Sequence, residues 1–210
     1  MLNNMTPAAR LAYRPTYFTS LLTAASLNKA YISYTPATPS TPSAPAASGT
    51  PTHPWRSCAV IMPPGTDVGN PFTLLQSGLL GVVWTLGLGV ARKMLGEFEG
   101  AVNAARRQGL AAGEEAYYVF FVGTGMEYQG RGLGGGMVRE CMERAGGEGR
   151  AVWLEATTEG SRRLYRRLGF VEVREIVLGG GKAAKTGEVE KGGEGVRIWA
   201  MVWRNGGAKA

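Results

Sequence analysis

The sequence has almost none of the residues that build disulfide frameworks or zinc sites. It contains two cysteines and one histidine in 210 residues. Cys58 and Cys141 lie far apart, no CxxC pair occurs, and His53 lies among prolines. We therefore expect neither a disulfide nor a metal site. Free cysteines at this low number are typical of a reducing compartment, so the expected location is the cytoplasm or the nucleus.

Acidic residues are missing from the N-terminal third of the chain. The first 66 residues contain no Asp or Glu, although they contain four Lys or Arg and many Ser and Thr. This composition would suit a mitochondrial transit peptide, but we favour an acid-poor helix followed by a linker. The linker is residues 35–54, "TPATPSTPSAPAASGTPTHP", where Pro, Ser, Thr and Ala leave little to bury. We predict a disordered insertion there.

No long hydrophobic run is free of polar residues and glycine. Residues 72–91 approach the length of a membrane span, yet they contain Gln76, Ser77 and four glycines. We therefore predict a helical segment over residues 72–108 that packs on the domain, and we expect no membrane insertion. The net charge is +7. Because the basic residues are not interleaved with stacking aromatics, we expect no nucleic-acid partner.

Hydrophobic patterning predicts an α/β protein. A helix is expected near residues 14–30, one after the glycines at 130–135, and a short one over 159–168. Strands are predicted at 31–34, in the segment "RSCAVIM" that Pro63 stops, and at 116–122, 151–156, 170–178 and 196–203. The last two strands alternate polar with apolar residues, so the sheet turns antiparallel there. A Gly-rich loop at 179–195 joins them.

Glycines cluster where the strand at 116–122 leads into a helix, in "VGTGMEYQGRGLGGGMVRECMERA", residues 122–145. Glycine lets a ligand approach the main chain, and a helix N-terminus offers free N–H groups and partial positive charge. The expected ligand is a phosphate.

Three interpretations of this loop compete. "GRGLGG", residues 130–135, matches the dinucleotide pattern GxGxxG, with Glu155 about 20 residues later. That fold needs its first glycine at the turn leaving the strand, but residues 123–129 intervene. "VGTG" as a methyl-donor nucleotide loop is the second interpretation, although the residues after it do not open a helix. Elsewhere, "GGGKAAKT" at 179–186 only approximates a P-loop, because Ala184 stands where glycine is required.

The third interpretation takes residues 129–134 as Q-x-x-G-x-G at the start of a helix. After the next strand, residues 164–170 read "LYRRLGF". With these two motifs in order, the chain resembles the GNAT superfamily of acetyl-CoA-dependent N-acetyltransferases. The resemblance implies one domain over residues 1–210, with a mixed, mostly antiparallel sheet splayed in a V and flanked by helices. It also implies acetyl-CoA as cosubstrate and a small-molecule or peptide amine as acceptor.

The resemblance implies a coenzyme site along one strand end and one helix start. The pyrophosphate would lie on the N–H groups of residues 130–135, and the pantetheine arm would pair with the main chain of the preceding strand. The implied cofactor-binding residues are Val122, Gly123, Thr124, Gln129, Gly130, Arg131, Gly132, Leu133, Gly134 and Gly135.

The implied catalytic residues are Tyr165 and Glu155. Tyr165 matches the tyrosine that in this family protonates the departing CoA thiolate, and Glu155 is the first choice of base for the amine. Glu127 or an ordered water is the alternative base. The alternative functions are a non-catalytic CoA-binding module and, third, a dinucleotide enzyme. The oligomeric state is left open.

Some features depart from the family pattern. We find no convincing first strand before residue 31, a region on which acceptor specificity depends in the family. Ser161 and Met126 replace the asparagine and proline that are common in the two motifs. The arginines of the second motif are expected to form a solvated helix face, with one of them near the 3′-phosphate of CoA. These arginines are Arg162, Arg163, Arg166 and Arg167.

Overall fold

The computed structural model describes residues 7–36, 55–66, 71–79, 88–188 and 190–206. The helices in these ranges are α1 (Pro7–Leu27), α2 (Pro71–Gln76), α3 (Leu88–Gly109), α4 (Leu133–Gly147) and α5 (Glu159–Arg167). The strands are β1 (Tyr31–Pro36), β2 (Trp55–Met62), β3 (Ala116–Thr124), β4 (Ala151–Ala156), β5 (Val171–Leu178) and β6 (Val196–Trp203). A short 3-10 turn, Met126–Tyr128, lies between β3 and α4.

The six strands form one open sheet in the order β1-β2-β3-β4-β6-β5. Strands β3 and β4 run parallel, and every other neighbouring pair is antiparallel. This topology confirms the predicted mixed, mostly antiparallel α/β sheet.

The sheet splits between β3 and β4. The two strands pair only from Ala116 to Tyr118 on β3, although β3 continues to Thr124. On the other side of β3, Val119 pairs with Ile61 and Phe121 pairs with Val60. Phe120, which lies between them, is therefore an extra residue on β3. Such a bulge bends the strand. We attribute the V-shaped opening to this bulge, which begins where the β3–β4 pairing ends.

The two faces of the sheet carry different helices. On one face, Val138, Cys141 and Ala145 of α4 are buried in a core cluster that also contains Tyr165 of α5. Their spacing of three and four residues is that of one helix face. On the other face, α3 packs over β4, β5 and β6, and α1 packs over β2 and β3. The opening between β3 and β4 therefore lies between two helical layers.

Both ends of α5 are closed by local hydrogen bonds. Thr158 caps the start, because its hydroxyl accepts from Ser161 N–H at 3.1 Å and its own N–H donates to the Ser161 hydroxyl at 3.1 Å. At the other end Gly169 has φ 92°, and Phe170 N–H donates to the Tyr165 carbonyl at 3.0 Å. This is a Schellman ending. Gly169 is the left-handed residue of this ending.

Several boundaries differ from the sequence prediction. Helix α1 begins at Pro7, so Pro15 lies inside the helix and not at its start. Proline is favoured in the first turn, and Pro7 takes that place. Strand β1 extends two residues into the predicted linker, and the rest of that linker, 37–54, lies outside the described residues. The predicted segment 72–108 contains α2 and α3, with 80–87 outside the description.

The Gly-rich loop between β5 and β6 folds back on itself. Gly181 N–H donates to the Gly193 carbonyl at 2.8 Å, and Gly195 N–H donates to the Ala183 carbonyl at 2.7 Å. A β-carbon on Gly195, which has φ 78°, would lie 2.6 Å from the Leu178 carbonyl oxygen. Glycine is therefore required by close packing there. Within the described ranges, no helix combines the length and apolar character needed to cross a membrane.

Candidate functional site

The start of α4 presents main-chain N–H groups that have no acceptor. The helix begins at Leu133, inside the Q-x-x-G-x-G motif at residues 129–134, and Gly132 is its N-cap with φ 78°. No side chain caps it. In the described part of the chain, the first N–H of this region to find an acceptor is that of Gly136, which donates to the Gly132 carbonyl at 3.0 Å. Residues 130–135 thus form an electropositive nest of free donors.

This nest lies directly against the end of β3. A β-carbon on Gly134 would lie 3.4 Å from Thr124 Oγ1 and 3.5 Å from Val122 Cγ1. A β-carbon on Gly135 would lie 3.4 Å from Leu164 Cδ1 of α5. The structure therefore brings together the predicted strand residues, the predicted glycine residues and the second motif.

The two polar side chains of the loop contact the loop itself. Gln129 Nε2 donates to the Thr124 carbonyl at 3.3 Å, and Arg131 Nη2 donates to the Glu127 carbonyl at 3.1 Å. The Arg131 guanidinium also lies 5.5 Å from the Tyr128 ring centroid. Both side chains thus brace the turn, a role that the motif alone did not indicate. Glu127, the alternative base, is exposed on this turn.

A buried serine ties the end of β3 to β2. The Ser57 hydroxyl donates to the Gly123 carbonyl at 2.9 Å and lies 3.0 Å from Thr124 Oγ1. Ser57 is fully buried. It fixes the strand end against which the glycine loop packs. Sequence reasoning missed it, since a single serine at the start of an apolar strand carries no distinctive signal.

Tyr165 lies in the core with its hydroxyl uncommitted. The residue is 8% exposed, and its ring centroid is 5.8 Å from that of Phe170. No hydrogen bond to the hydroxyl occurs among the described residues, and burial alone raises its pKa. The phenol therefore keeps its proton at neutral pH and is free to donate it.

Glu155 lies on the opposite face of β4 from Tyr165. Its two carboxylate oxygens accept from the Tyr118 hydroxyl at 2.7 Å and from Trp153 Nε1 at 2.6 Å. Burial, followed by the Glu155 charge, raises the pKa of Tyr118 well above its ordinary value, so this phenol remains a donor. Tyr118 and Trp153 were not predicted. Trp153 could have been predicted, because it lies two residues before Glu155 and residues two apart on a strand share a face.

The two predicted catalytic residues thus lie on opposite faces of the sheet, and the opening between β3 and β4 connects these two faces. Leu154 and Ala156 face the cluster that contains Tyr165, whereas Trp153 faces the α3 side. Glu155 shares the face of Trp153. A reactant placed between the splayed strands would meet Tyr165 from one side and Glu155 from the other.

The prediction of a solvated arginine face on α5 is wrong for Arg162. Its guanidinium stacks 4.6 Å from the Trp199 ring centroid and donates to Glu172 at 2.9 Å. Arg166 donates to the same carboxylate at 2.6 Å. The physical reason is that β5 and β6 place an acid and an indole beside the helix. Arg163 and Arg167 are exposed, as expected.

The cysteines are poor nucleophiles. Burial raises the pKa of Cys141 to about 12 and also raises the pKa of Cys58. Both thiols therefore stay protonated at neutral pH, whereas thiolate is the reactive form. In the described ranges, no three His, Cys, Asp or Glu side chains come together as a metal site.

The dinucleotide interpretation does not fit the connection between β3 and α4. Strand β3 ends at Thr124, and the 3-10 turn Met126–Tyr128 separates it from Gly130. The first glycine of "GRGLGG" is therefore not at the tight turn that leaves the strand.

A comparison with protein families decides between the remaining interpretations. The model of the acetyltransferase (GNAT) family matches residues 84–170. Over these residues the chain is similar to this family, and the match spans less than half of its 210 residues. The match contains α3, β3, the glycine loop, α4, β4 and the second motif, so it covers the nest at 130–135 and also Tyr165 and Glu155.

Two curated fungal proteins are similar to this chain. An uncharacterized protein of Saccharomyces cerevisiae is 28% identical over 114 residues, which are 54% of this chain and 49% of that protein. An uncharacterized N-acetyltransferase of Schizosaccharomyces pombe is 25% identical over 118 residues, 56% of this chain and 48% of that protein. The matched region therefore spans about half the length of each of these relatives.

Among solved structures, the polyamine N-acetyltransferase of Drosophila melanogaster superposes on this chain with a TM-score of 0.48 and 19% identity. The superposition covers 74% of this chain and 72% of that one.

Proposed function

We propose that the protein is an N-acetyltransferase that moves an acetyl group from acetyl-CoA to a primary amine by direct attack within a ternary complex. The observation that carries the proposal is the run of free N–H groups at residues 130–135, placed against a strand that has lost its partner. An anion is the natural ligand of such a nest. A peptide-like arm is the natural partner of such an edge.

The residues fit the two ends of CoA. The diphosphate would accept from the main chain of residues 130–135, where left-handed glycines at 130 and 132 open the approach. The pantetheine arm would pair with β3 beyond Tyr118, near Val122 and Thr124. The Thr124 carbonyl already accepts from Gln129. Val122 is therefore the main-chain partner we favour.

Acetyl-CoA would supply the acetyl group and the thiolate that leaves. Glu155 would take one proton from the attacking amine, directly or through a water. A main-chain N–H near Val122 would stabilise the negative charge that grows on the acetyl oxygen, often a large catalytic contribution. Tyr165 would give its proton to the thiolate. The products are then the amide, free CoA and a protein whose two groups exchange protons with water.

The test is a calorimetric titration with acetyl-CoA, followed by acetyl transfer to polyamines, aminoglycosides, amino acids and peptides with free N-termini. We expect acetyl-CoA to bind, NAD(H) not to bind, and at least one amine class to be acetylated. Binding without any transfer would leave a CoA-binding module and would contradict the enzymatic proposal. Absence of acetyl-CoA binding would contradict the whole assignment.

A further inference from the structure

A half-buried arginine on α3 has no anionic partner among the residues that the structure describes. The Arg106 guanidinium lies 4.6 Å from the Tyr118 ring centroid and 5.9 Å from the Trp153 ring centroid. Its Nε is buried and makes no hydrogen bond. Among the described residues it forms neither an ion pair nor a side-chain hydrogen bond. A buried guanidinium donor without an acceptor is costly, so an acceptor is expected from outside the chain.

The distribution of acidic residues excludes most internal partners. No Asp or Glu occurs in residues 1–66, which include α1, β1 and β2, or in residues 68–96. Outside the described ranges the only acidic side chain is Asp67. Glu155 accepts hydrogen bonds from the Tyr118 hydroxyl and from Trp153 Nε1. Among the described residues, no carboxylate therefore forms an ion pair with Arg106.

Arg106 and Glu155 lie around the same tyrosine. Arg106 covers the face of the Tyr118 ring, and Glu155 binds the hydroxyl of that ring. Tyr118 contacts both the cluster under α3 and the cluster under α1. It is also the last residue of β3 that pairs with β4. A cation and a carboxylate thus contact the same tyrosine at the sheet opening.

We propose that Arg106 binds a carboxylate of the amine acceptor while Glu155 faces its amine, so that the acceptor is an amino acid or another amine that carries a carboxylate. This proposal rests on the acetyl transfer proposed above. A guanidinium held flat on an aromatic ring is pre-organised for bidentate carboxylate binding. A polyamine would bring two or more positive charges toward one carboxylate and an unneutralised arginine, an unfavourable pairing.

The test compares leucine with leucinamide as acceptors for the wild type and for Arg106→Gln. We expect the substitution to lower kcat/KM for leucine about 10- to 100-fold, mainly through KM, and to leave leucinamide within about twofold. Arg106→Lys keeps the charge and should restore part of the loss. Arg107→Gln, an exposed neighbour on the same helix, is the matched control and should change neither acceptor.

A binding measurement checks the same contact without turnover. In the presence of CoA, N-acetylleucine should bind the wild type more tightly than N-acetylleucinamide, and Arg106→Gln should remove the difference. Equal losses for leucine and leucinamide would overturn the inference. So would a wild type that acetylates only amines without a carboxylate. If unfolding free energies show strong coupling between Arg106→Gln and Asp67→Asn, Asp67 is the partner and the inference is wrong.

These outcomes are separable from failure of the proposed function. Loss of the leucine preference with acetyl transfer intact contradicts only the role of Arg106. Absence of transfer to every amine, with acetyl-CoA still bound, contradicts the enzymatic proposal. In that case the N-acetylleucine comparison still decides whether Arg106 binds a carboxylate.

Discussion

Replacing Tyr165 with phenylalanine should remove catalysis and leave the fold intact. The ring is buried in the core beside Phe170, and phenylalanine keeps that packing. The hydroxyl has no hydrogen-bond partner among the described residues, so its removal leaves no buried group unsatisfied. We expect the free energy of unfolding to change by no more than about 0.5 kcal/mol.

The expected loss of turnover follows from proton transfer. A positioned general acid contributes roughly 10²- to 10⁴-fold, so kcat at saturating acetyl-CoA should fall by about that factor in Tyr165→Phe. The dissociation constant for acetyl-CoA should stay within about twofold, because the nest at residues 130–135 is untouched. The assay follows release of the CoA thiol with a thiol-reactive dye, and calorimetry gives the dissociation constant.

Tyr117→Phe is the matched control, since Tyr117 is buried in the same cluster. Its hydroxyl donates to Glu148 at 2.8 Å, away from the proposed site. Because Glu148 is nearly half exposed, the loss should be about 1 kcal/mol of stability. Its kcat should be unchanged. The account would be refuted if Tyr165→Phe kept wild-type turnover, or if its acetyl-CoA affinity fell in parallel with kcat.

Further substitutions probe the loop, the base and the core. Gly132→Ala places a side chain at φ 78°, so it should lower the free energy of unfolding by about 1–2 kcal/mol and weaken acetyl-CoA binding. In Gly136→Ala the new β-carbon meets no atom within 4 Å. Thermal unfolding should therefore show that this control variant is more stable by about 0.5–1 kcal/mol. Glu155→Gln should lower kcat/KM roughly 100-fold at pH 7. This difference from the wild type should shrink at higher pH, because the free amine is then already deprotonated. A difference that stays constant with pH would argue against Glu155 as the base. Arg204 lowers the pKa of Glu114 by a hydrogen bond to its carboxylate. The stabilisation is present above the ordinary glutamate pKa and is lost as pH falls through the lowered value. In urea unfolding, Glu114→Gln should therefore be less stable than the wild type at pH 7, and its free energy of unfolding should fall less on acidification.

The sequence predicted the parts of the site that depend on local chemistry. The run of aromatic and β-branched residues at 116–122 gave the strand, and the glycines after it gave the nest. Gly169 could be predicted because only glycine readily takes the left-handed ending of a helix. The order of the two motifs gave the resemblance to the GNAT family, and the family comparison confirmed that resemblance over residues 84–170.

The missed features depend on contacts between distant segments. The bulge in β3 leaves no mark in a continuous apolar run, because there is no alternation for it to interrupt. The contacts of Arg106 depend on how α3 packs against β4, and those of Arg162 depend on β5 and β6. Neither set follows from helical periodicity.

The central claim is that the amides at the start of α4 bind the CoA diphosphate. Selective labelling with ¹⁵N-glycine and titration with CoA tests it most directly by amide chemical shifts. We predict that the largest shifts occur at Gly130, Gly132, Gly134 and Gly135, and that pantetheine, which lacks the diphosphate, does not reproduce them. Shifts centred instead on the glycines of the loop at 179–195, with the α4 glycines unchanged, would contradict the account.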